Sequence, residues 1–318
     1  MKKIVFMGTP SFAVPILKDL LNSESYDVIA VVTQPDRPFG RKRVLKASPV
    51  KLFAKEANID VFQPEKISGS EEMQNIINLH PDFIITAAFG QFLPTKLLNA
   101  AKIAAVNVHG SLLPKYRGGA PVQYSIMNGD DKTGVSIMYM VKKMDAGDIL
   151  SQASIKIGEQ DDTASMFDKL SVLGSKLLLE TLPKIADGTV KPVAQDESKV
   201  VFSPNIKRSE EKLDFTKTAF LVDRKVRALR PDPSAFTFLK GKRTKIWKTK
   251  IINDEKTDLE PGKVVAKTKK SLKIACGGGT IIEILELQPA GKPKQNIKAY
   301  LNGAGQSIKE KEQVITNE

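Results

Sequence analysis

Residues 2–34, KKIVFMGTPSFAVPILKDLLNSESYDVIAVVTQ, carry the clearest fold pattern in the first part of the chain. Residues 2–8 form a short apolar run that ends at Gly8, as a buried parallel strand does. Pro10 suits the first turn of a helix. Apolar residues then recur at helical spacing, at Phe12, Ile16, Leu17 and Leu20. A second apolar run at 27–34 completes a strand–helix–strand unit, which predicts a parallel sheet covered by helices.

The same alternation continues through the first part of the chain, with further strand patterns at residues 82–90 and 103–110. In sheets of this kind, ligands bind at the carboxyl ends of the strands. Asn107 and His109 are two residues apart on the last of these strands, so they share one face near its carboxyl end. This is where the predicted fold places chemistry.

The composition changes near residue 190, where a polar, extended segment begins that we interpret as a linker over 190–206. Short strand patterns separated by Gly and Lys turns follow it, as in a small antiparallel barrel. We therefore predict an α/β protein with a Rossmann-like domain at 1–189 and an OB-like β-barrel domain at 207–318. The polar tail after Gly303 is expected to be loosely ordered.

The basic residues are concentrated in the second domain. The chain has a net charge of +13, and residues 207–318 contribute +11 of it. Such a domain favours a polyanionic partner, nucleic acid first, although a solubilising surface gives the same count. The candidate phosphate-binding residues lie in a loop, a helix and a strand: Arg37, Arg41, Lys42, Arg43 and Lys46; Arg224 and Arg227; Lys242, Arg243 and Lys245.

Several other classes of protein find no support in the sequence. No apolar run approaches the roughly 20 residues of a membrane span, and the start lacks a signal-peptide pattern, so we expect a cytoplasmic protein without a membrane partner. There is no CxxC, HExxH or histidine cluster, and we expect no metal. Neither GxGxxG nor a Walker pattern is present, which disfavours nicotinamide or ATP chemistry. The single cysteine, Cys276, lies in a strand pattern and is expected in the core.

The residues at the strand end suit acyl transfer. The Asn107 amide can donate to a developing oxyanion, and the His109 imidazole can donate to the same oxygen or move a proton. A carboxylate beside the imidazole would orient it, and Asp145 and Asp148 flank a glycine, Gly147, in MDAGDIL. The residues alone do not separate these two aspartates. They also leave open a purely structural histidine that hydrogen-bonds locally.

Residues 107–121, NVHGSLLPKYRGGAP, closely resemble the signature of the folate-dependent formyltransferases. Other segments are similar to the branch of that family that acts on aminoacyl-tRNA. They are GTPSFA at 8–13, TQPDRPFGRKR at 33–43 and LQPAGK at 287–292. The resemblance covers nearly the whole chain, the basic second domain included.

The resemblance implies transfer of a formyl group from 10-formyltetrahydrofolate to the α-amino group of methionine on initiator tRNA. It implies a Rossmann-like domain followed by an OB-like barrel, no metal, and a monomer. The catalytic residues of the family match Asn107, His109 and Asp145. Its folate-binding residues match two runs: Ser111, Leu112, Leu113 and Pro114; and Phe89, Gly90, Gln91, Phe92 and Leu93. The basic loop at 36–51 matches one that enters the tRNA acceptor arm, with Arg41 at the selecting position.

Other functions are compatible with parts of the sequence. A formyltransferase for glycinamide ribonucleotide or for an aminosugar nucleotide would share the strand-end residues, as would a formyltetrahydrofolate hydrolase. A nucleic-acid-binding protein with an inactive Rossmann-like domain is an alternative of another class. A redox enzyme has the least support, because the dinucleotide fingerprint is absent.

Overall fold

A computed structural model describes residues 1–39 and 44–316 of the chain. It contains two compact units, each drawn from several stretches of sequence. Unit 1 comprises Met1–Pro121, Lys132–Lys156 and Ser165–Asn205. Unit 2 comprises Val122–Asp131, Ile157–Ala164 and Ile206–Glu318. The domain boundaries drawn from the sequence, at 189 and 206, stay a prediction.

The elements are numbered in chain order. The strands are β1 (Lys2–Gly8), β2 (Tyr26–Val32), β3 (Arg37–Phe39), β4 (Val44–Lys46), β5 (Val61–Phe62), β6 (Phe83–Ala87), β7 (Ala104–His109), β8 (Lys115–Arg117), β9 (Lys132–Tyr139), β10 (Ile149–Lys156), β11 (Val201–Phe202), β12 (Phe236–Leu239), β13 (Lys242–Ile252), β14 (Val264–Lys267), β15 (Leu272–Ala275), β16 (Ile281–Pro289), β17 (Gln295–Asn296) and β18 (Ile315–Thr316). The helices are α1 (Ala13–Leu21), α2 (Pro49–Glu56), α3 (Glu71–Asn78), α4 (Thr95–Leu98), α5 (Pro121–Met127), α6 (Thr163–Ala186), α7 (Ala219–Ala228) and α8 (Ile297–Leu301).

The main sheet of unit 1 has the strand order β10-β9-β7-β6-β1-β2-β5. Five of its strands, β1, β2, β5, β6 and β7, pair in parallel, which confirms the Rossmann-like class. β9 and β10 extend it as an antiparallel edge. The sequence pattern did not predict that edge, because an apolar run shows that a strand is buried but not which way it runs.

The first strand–helix unit forms as its sequence pattern predicts. Residues Ile4–Met7 of β1 are completely buried, and α1 turns Ile16 and Leu20 into the core. Pro15 lies in the first turn of α1, which begins at Ala13. A proline there costs the helix no hydrogen bond, because the first-turn N–H groups have no partner within the helix.

Unit 2 contains an antiparallel sheet of order β14-β15-β16-β13-β12-β18, with β17 paired to β16. Its two end strands approach each other, since Lys263 and Gln313 form a bridge and the Val264 N–H donates to the Glu312 carbonyl at 2.9 Å. The sheet therefore curls into the OB-like barrel predicted from the sequence. Cys276 lies in its core, 1% exposed, and burial raises the pKa of its thiol to about 12.

The prediction of a loose tail after Gly303 is wrong. Ile308 and Val314 are buried in the core of unit 2, and β18 pairs with β12. The tail is polar on average, but a few spaced apolar side chains suffice to fix it because each one fills a core position. No helix within the described ranges is long and apolar enough to cross a membrane.

Candidate active site

Three polar residues from two parts of unit 1 lie close together. Asn107 and His109 occupy the carboxyl end of β7, and Asp145 lies in the loop between β9 and β10. The Asp145 Oδ1 atom is 3.5 Å from Asn107 Nδ2, and its Oδ2 atom is 3.8 Å from His109 Nδ1. The side chains of His109 and Asp145 are 6% and 16% exposed, so the cluster is shielded but open to a ligand.

The orientation of His109 follows from its main-chain contact. Its Nε2 atom lies 2.9 Å from the carbonyl oxygen of Tyr116. A carbonyl oxygen only accepts, so Nε2 carries a proton in this contact and Nδ1 is the nitrogen that faces Asp145. At 3.8 Å the imidazole and the carboxylate are not hydrogen-bonded. The gap leaves both groups available to a third partner.

Asn107 is oriented by Thr86, a residue that the sequence analysis did not single out. The two residues are register partners on β6 and β7, and the Thr86 hydroxyl donates to Asn107 Oδ1 at 2.8 Å. With its oxygen occupied, the Asn107 amide turns its N–H groups toward Asp145. The signal in the sequence was a single polar residue within the apolar strand FIITA.

The loop of Asp145 is held from several sides. The Gly118 N–H donates to Asp145 Oδ2 at 2.9 Å. Gln195 donates to the carbonyl oxygens of Asp145 and Gly147 at 2.9 and 2.8 Å. Asp148, the alternative carboxylate, is exposed, and its main-chain oxygen accepts from the Tyr139 N–H at 3.0 Å. Geometry thus separates the two aspartates, and Asp145 is the one beside His109.

The run Ser111–Pro114 forms a rigid turn directly after β7. The Ser111 hydroxyl donates to the Lys115 carbonyl at 2.7 Å, and the Ser136 hydroxyl donates to the Ser111 carbonyl at 2.6 Å. Ser136 Oγ also accepts from the Leu113 N–H at 3.1 Å. Leu112 packs against Gly134, where an added Cβ would lie 2.5 Å from Leu112 Cδ2. The turn therefore presents a fixed set of main-chain and apolar atoms.

The run Phe89–Leu93 follows β6, the parallel neighbour of β7, so both runs lie at the same edge of the sheet. Phe89 is buried, and its carbonyl accepts from Thr9 Oγ1 at 2.9 Å and Gln34 Nε2 at 3.2 Å. Phe92 is 58% exposed. Exposed apolar surface beside fixed polar main-chain groups is chemistry that suits a pterin ring, so these residues fit the implied folate.

The basic loop is a short hairpin of β3 and β4 where the structure describes it. Arg37 is exposed and forms an ion pair with Glu65 at 2.7 Å, and Lys46 is exposed. Arg41, Lys42 and Arg43 lie outside the described residues. Val44 and Leu45, between them and Lys46, are 64% and 68% exposed.

The basic residues of β13 lie on the outer surface of the barrel of unit 2. Lys242 is exposed, and the Arg243 guanidinium lies 3.9 Å from the centre of the Phe236 ring. Lys245 lies over the Trp247 ring at 5.7 Å. Trp247 is partly exposed, and Lys294 also lies over its ring, at 5.6 Å. Alternating basic and apolar residues along a strand do not show whether a given aromatic side chain faces the core or the outer surface.

Arg224 and Arg227 do not lie on the surface, which corrects their prediction as phosphate-binding residues. They are 7% and 6% exposed. Arg227 donates to Asp223 Oδ2 at 2.8 Å and to the Asp161 carbonyl at 2.6 Å. Arg224 lies 4.9 Å from the Phe220 ring centre, and burial lowers its pKa. The acceptor at Asp161 is remote in sequence, so a count of charges along α7 could not reveal it.

The chain thus joins an α/β sheet with a polar cluster at its strand ends, the place where such sheets bind ligands, to an antiparallel barrel. Family models for the formyl transferases match the chain twice. The formyl transferase model matches residues 1–182, and the model of the formyl transferase C-terminal domain matches residues 205–305. The chain belongs to the formyl transferase family.

Similar proteins span its whole length. A methionyl-tRNA formyltransferase of Ligilactobacillus salivarius is 62% identical, with all of both chains covered. One of Enterococcus faecalis is 57% identical, covering 99% of this chain and 100% of the relative. Among solved structures, an N-formyltransferase from Helicobacter canadensis, in complex with folinic acid and dTDP-3-aminofucose, has a TM-score of 0.66. It is 19% identical and covers 91% of this chain and all of its own, a likeness that concerns the fold.

Proposed function

We propose that this enzyme transfers the formyl group of 10-formyltetrahydrofolate to the α-amino group of methionine on initiator tRNA. The product is N-formylmethionyl-tRNA, which serves translation initiation. The observation that carries the proposal is the convergence of Asn107, His109 and Asp145 in a chain 62% identical, over its full length, to a methionyl-tRNA formyltransferase. Because that substrate is made and used in the cytoplasm, the enzyme is proposed to act there.

The reaction forms one bond and breaks another at the formyl carbon. The neutral amine of the methionyl group attacks that carbon, and its π electrons move to oxygen. Collapse of the tetrahedral intermediate breaks the bond to N10 of the folate. The amine gives up a proton and N10 gains one, so tetrahydrofolate leaves neutral at that nitrogen. The formyl donor is already activated, and the proposed steps invoke no ATP or metal.

Asn107 is proposed to stabilise the oxyanion. Its oxygen is occupied by the Thr86 hydroxyl, which aims the amide N–H groups away from β6. A donor held in place before reaction stabilises developing charge without reorganising. His109 would donate to the oxyanion or move a proton through Nδ1, the nitrogen on the side of Asp145, because Nε2 is hydrogen-bonded to the Tyr116 carbonyl oxygen. Asp145 orients the imidazole and accepts the amine proton, directly or through a water.

The two turns after β6 and β7 are proposed to bind the folate. Ser111–Pro114 would contact the pterin through main-chain atoms held by Ser136. Phe89–Leu93 would flank it from the neighbouring strand, with exposed Phe92 as apolar surface.

Two separate sets of basic residues are proposed to contact the tRNA, one in the basic loop at 36–51 and one on β13. The residues proposed for these contacts are Arg37, Arg41, Lys42, Arg43 and Lys46 in the sequence of the basic loop, and Lys242, Arg243 and Lys245 on β13. These side chains would contact phosphates, which position a nucleic acid without reading its sequence. A monomer is the expected state of the enzyme.

The test offers one donor and several acceptors to the purified enzyme. With 10-formyltetrahydrofolate, we expect formylation of methionyl initiator tRNA and little reaction with methionyl elongator tRNA, glycinamide ribonucleotide, a dTDP-aminosugar or water. Transfer to the aminosugar in preference to the tRNA would contradict the proposed substrate. Release of formate without any acceptor would identify a hydrolase instead.

A further inference from the structure

The loop that carries Asp145 has a conformation that needs support. Asp145 has a φ of 49°, in the left-handed region, which is unfavourable for a residue with a side chain. Gly147 lies so close to Tyr139 that an added Cβ would be 1.9 Å from its carbonyl oxygen. Such a shape persists only where neighbouring groups hold it.

Gln195 supplies that support from the segment predicted to be a linker. Its amide donates to the carbonyl oxygens of Asp145 and Gly147 at 2.9 and 2.8 Å. One side chain thereby holds two main-chain oxygens two residues apart, using both of its N–H groups. The segment is fixed beside the loop because Val193 and Ile149 exchange hydrogen bonds at 2.8 and 2.9 Å.

Arg117 determines which way the Gln195 amide points. Its Nε–H donates to Gln195 Oε1 at 3.0 Å. A flipped amide would place N–H groups against Arg117 and an oxygen against two carbonyls, so the observed orientation is strongly preferred. Arg117 is completely buried and donates to Glu197 Oε1 at 2.8 Å, while Lys143 donates to Glu197 Oε2 at 2.8 Å.

We propose that Gln195, oriented by Arg117, is a positioning residue that holds the Asp145 carboxylate toward Asn107 and His109. Gly118, next to Arg117, donates to the same carboxylate at 2.9 Å, so one short segment fixes both the main chain and the side chain of Asp145. The role rests on the proposed function of Asp145. This role places a functional contribution in residues 190–206, a segment whose composition indicates only a linker.

Two substitutions separate this role from simple packing. Gln195→Met keeps the length of the side chain and removes all of its hydrogen bonds. Gln195→Glu keeps an acceptor for Arg117 but removes both donors, and it places a carboxylate against two carbonyls. We expect kcat to fall about 10- to 100-fold in both, as for displacement of a catalytic group by about 1 Å, with KM for both substrates unchanged. Gln74→Met, at an exposed glutamine on α3, is the matched control and should retain full activity.

Hydrogen exchange gives a readout that does not depend on turnover. In both Gln195 variants, the amide of Gly118 and those of residues 145–148 should exchange faster, while β1 and β6 keep their protection. Wild-type kcat in both variants would overturn the proposal, and so would a loss of protection throughout unit 1, which indicates a merely structural role. If wild-type protein formylates no tRNA, the proposed function fails, and the exchange comparison still decides whether Gln195 holds the loop.

Discussion

The polar residues of the two units use their hydrogen bonds differently. In unit 1, Asp145 lies 3.5 Å from Asn107 and 3.8 Å from His109, distances at or beyond the limit of a hydrogen bond. In unit 2, Arg227 forms close bonds of 2.8 and 2.6 Å to Asp223 and Asp161. The first set is held in place by other residues, through hydrogen bonds from Thr86, Gly118 and Gln195. The second set satisfies itself.

A functional group is therefore better recognised by hydrogen-bond donors and acceptors that the fold leaves available than by its charge or by a conspicuous sequence motif. Asn107 is oriented through its oxygen and keeps its N–H groups available. Arg227 has equal potential as a phosphate ligand but donates to acceptors within its own unit. Variants of the two sets should therefore fail in different ways, the first in turnover and the second in stability.

The largest effect is expected for the carboxylate of unit 1. Asp145→Asn should lower kcat by about 10²- to 10⁴-fold, the usual contribution of a general acid or base, with little change in melting temperature. Asp148→Asn, three residues away and exposed, should leave kcat unchanged. Equal losses of kcat in the two variants would contradict the choice of Asp145 over Asp148 as the catalytic carboxylate. Single-turnover formylation assays compare the two.

Removing the buried charge of unit 2 should act on stability. Arg227→Met leaves Asp223 buried without its ion pair, which costs about 3–5 kcal/mol. Arg37→Met breaks an exposed ion pair with Glu65 and should cost at most about 1 kcal/mol. Urea unfolding followed by circular dichroism measures both. If the Arg227→Met protein were stable but bound tRNA more weakly, Arg227 would be a phosphate-binding residue after all.

The oxyanion donor should affect turnover alone. Asn107→Ala is expected to raise the barrier by about 2.7–4 kcal/mol, the loss seen for a single oxyanion-hole donor. Folate binding, measured by fluorescence titration, should be nearly unchanged because the donor acts on charge that develops during reaction. An unchanged kcat would remove Asn107 from the mechanism.

A pH effect on stability is expected from Glu197. The hydrogen bond from Arg117, and then that from Lys143, lowers the pKa of this carboxyl from 4.5 to about 2. Since the folded pKa is the lower one, the stabilisation is fully present above pH 4.5 and is lost as the pH falls toward 2. Glu197→Gln should therefore lose less stability than wild type between these values in urea unfolding. An identical loss in both proteins would contradict the pairing.

The smallest effect concerns a single exposed lysine on the barrel. Lys242→Ala should reduce the slope of log affinity for tRNA against log salt by about 1 and leave unfolding unchanged. Lys102→Ala, at an exposed lysine of unit 1, serves for comparison. A slope that does not change would remove Lys242 from the proposed tRNA surface.

The sequence predicted the sheet, the barrel and the strand-end pair because each depends on local periodicity. Asn107 and His109 needed only the length of one strand to be placed at its end. Thr86 was visible as a polar residue in an apolar strand, yet its partner on the neighbouring strand depended on register. Gln195 left no local signal, because its contacts lie 48 and 50 residues away.

The basic residues show the limit of composition most clearly. Lys242 and Arg227 are equally basic in the sequence, and one is exposed while the other is buried. The difference depends on Gly158 and Asp161, whose carbonyls meet the Arg227 guanidinium only after folding. Composition gives the number of basic side chains, but it does not show which of them donate their hydrogen bonds to acceptors inside the fold.

The discontinuity of unit 2 affects the order in which the protein can fold during synthesis. The segments 122–131 and 157–164 emerge from the ribosome long before β13 and β16, with which they share a compact unit. These segments cannot pack in unit 2 until the barrel strands have been synthesised, and the barrel closes only when the Lys263–Gln313 bridge forms. Contacts between residues so far apart in sequence form slowly. Unit 2 is therefore the later unit to mature, and a fragment that starts at residue 206 would present Arg227 without two of its three acceptors.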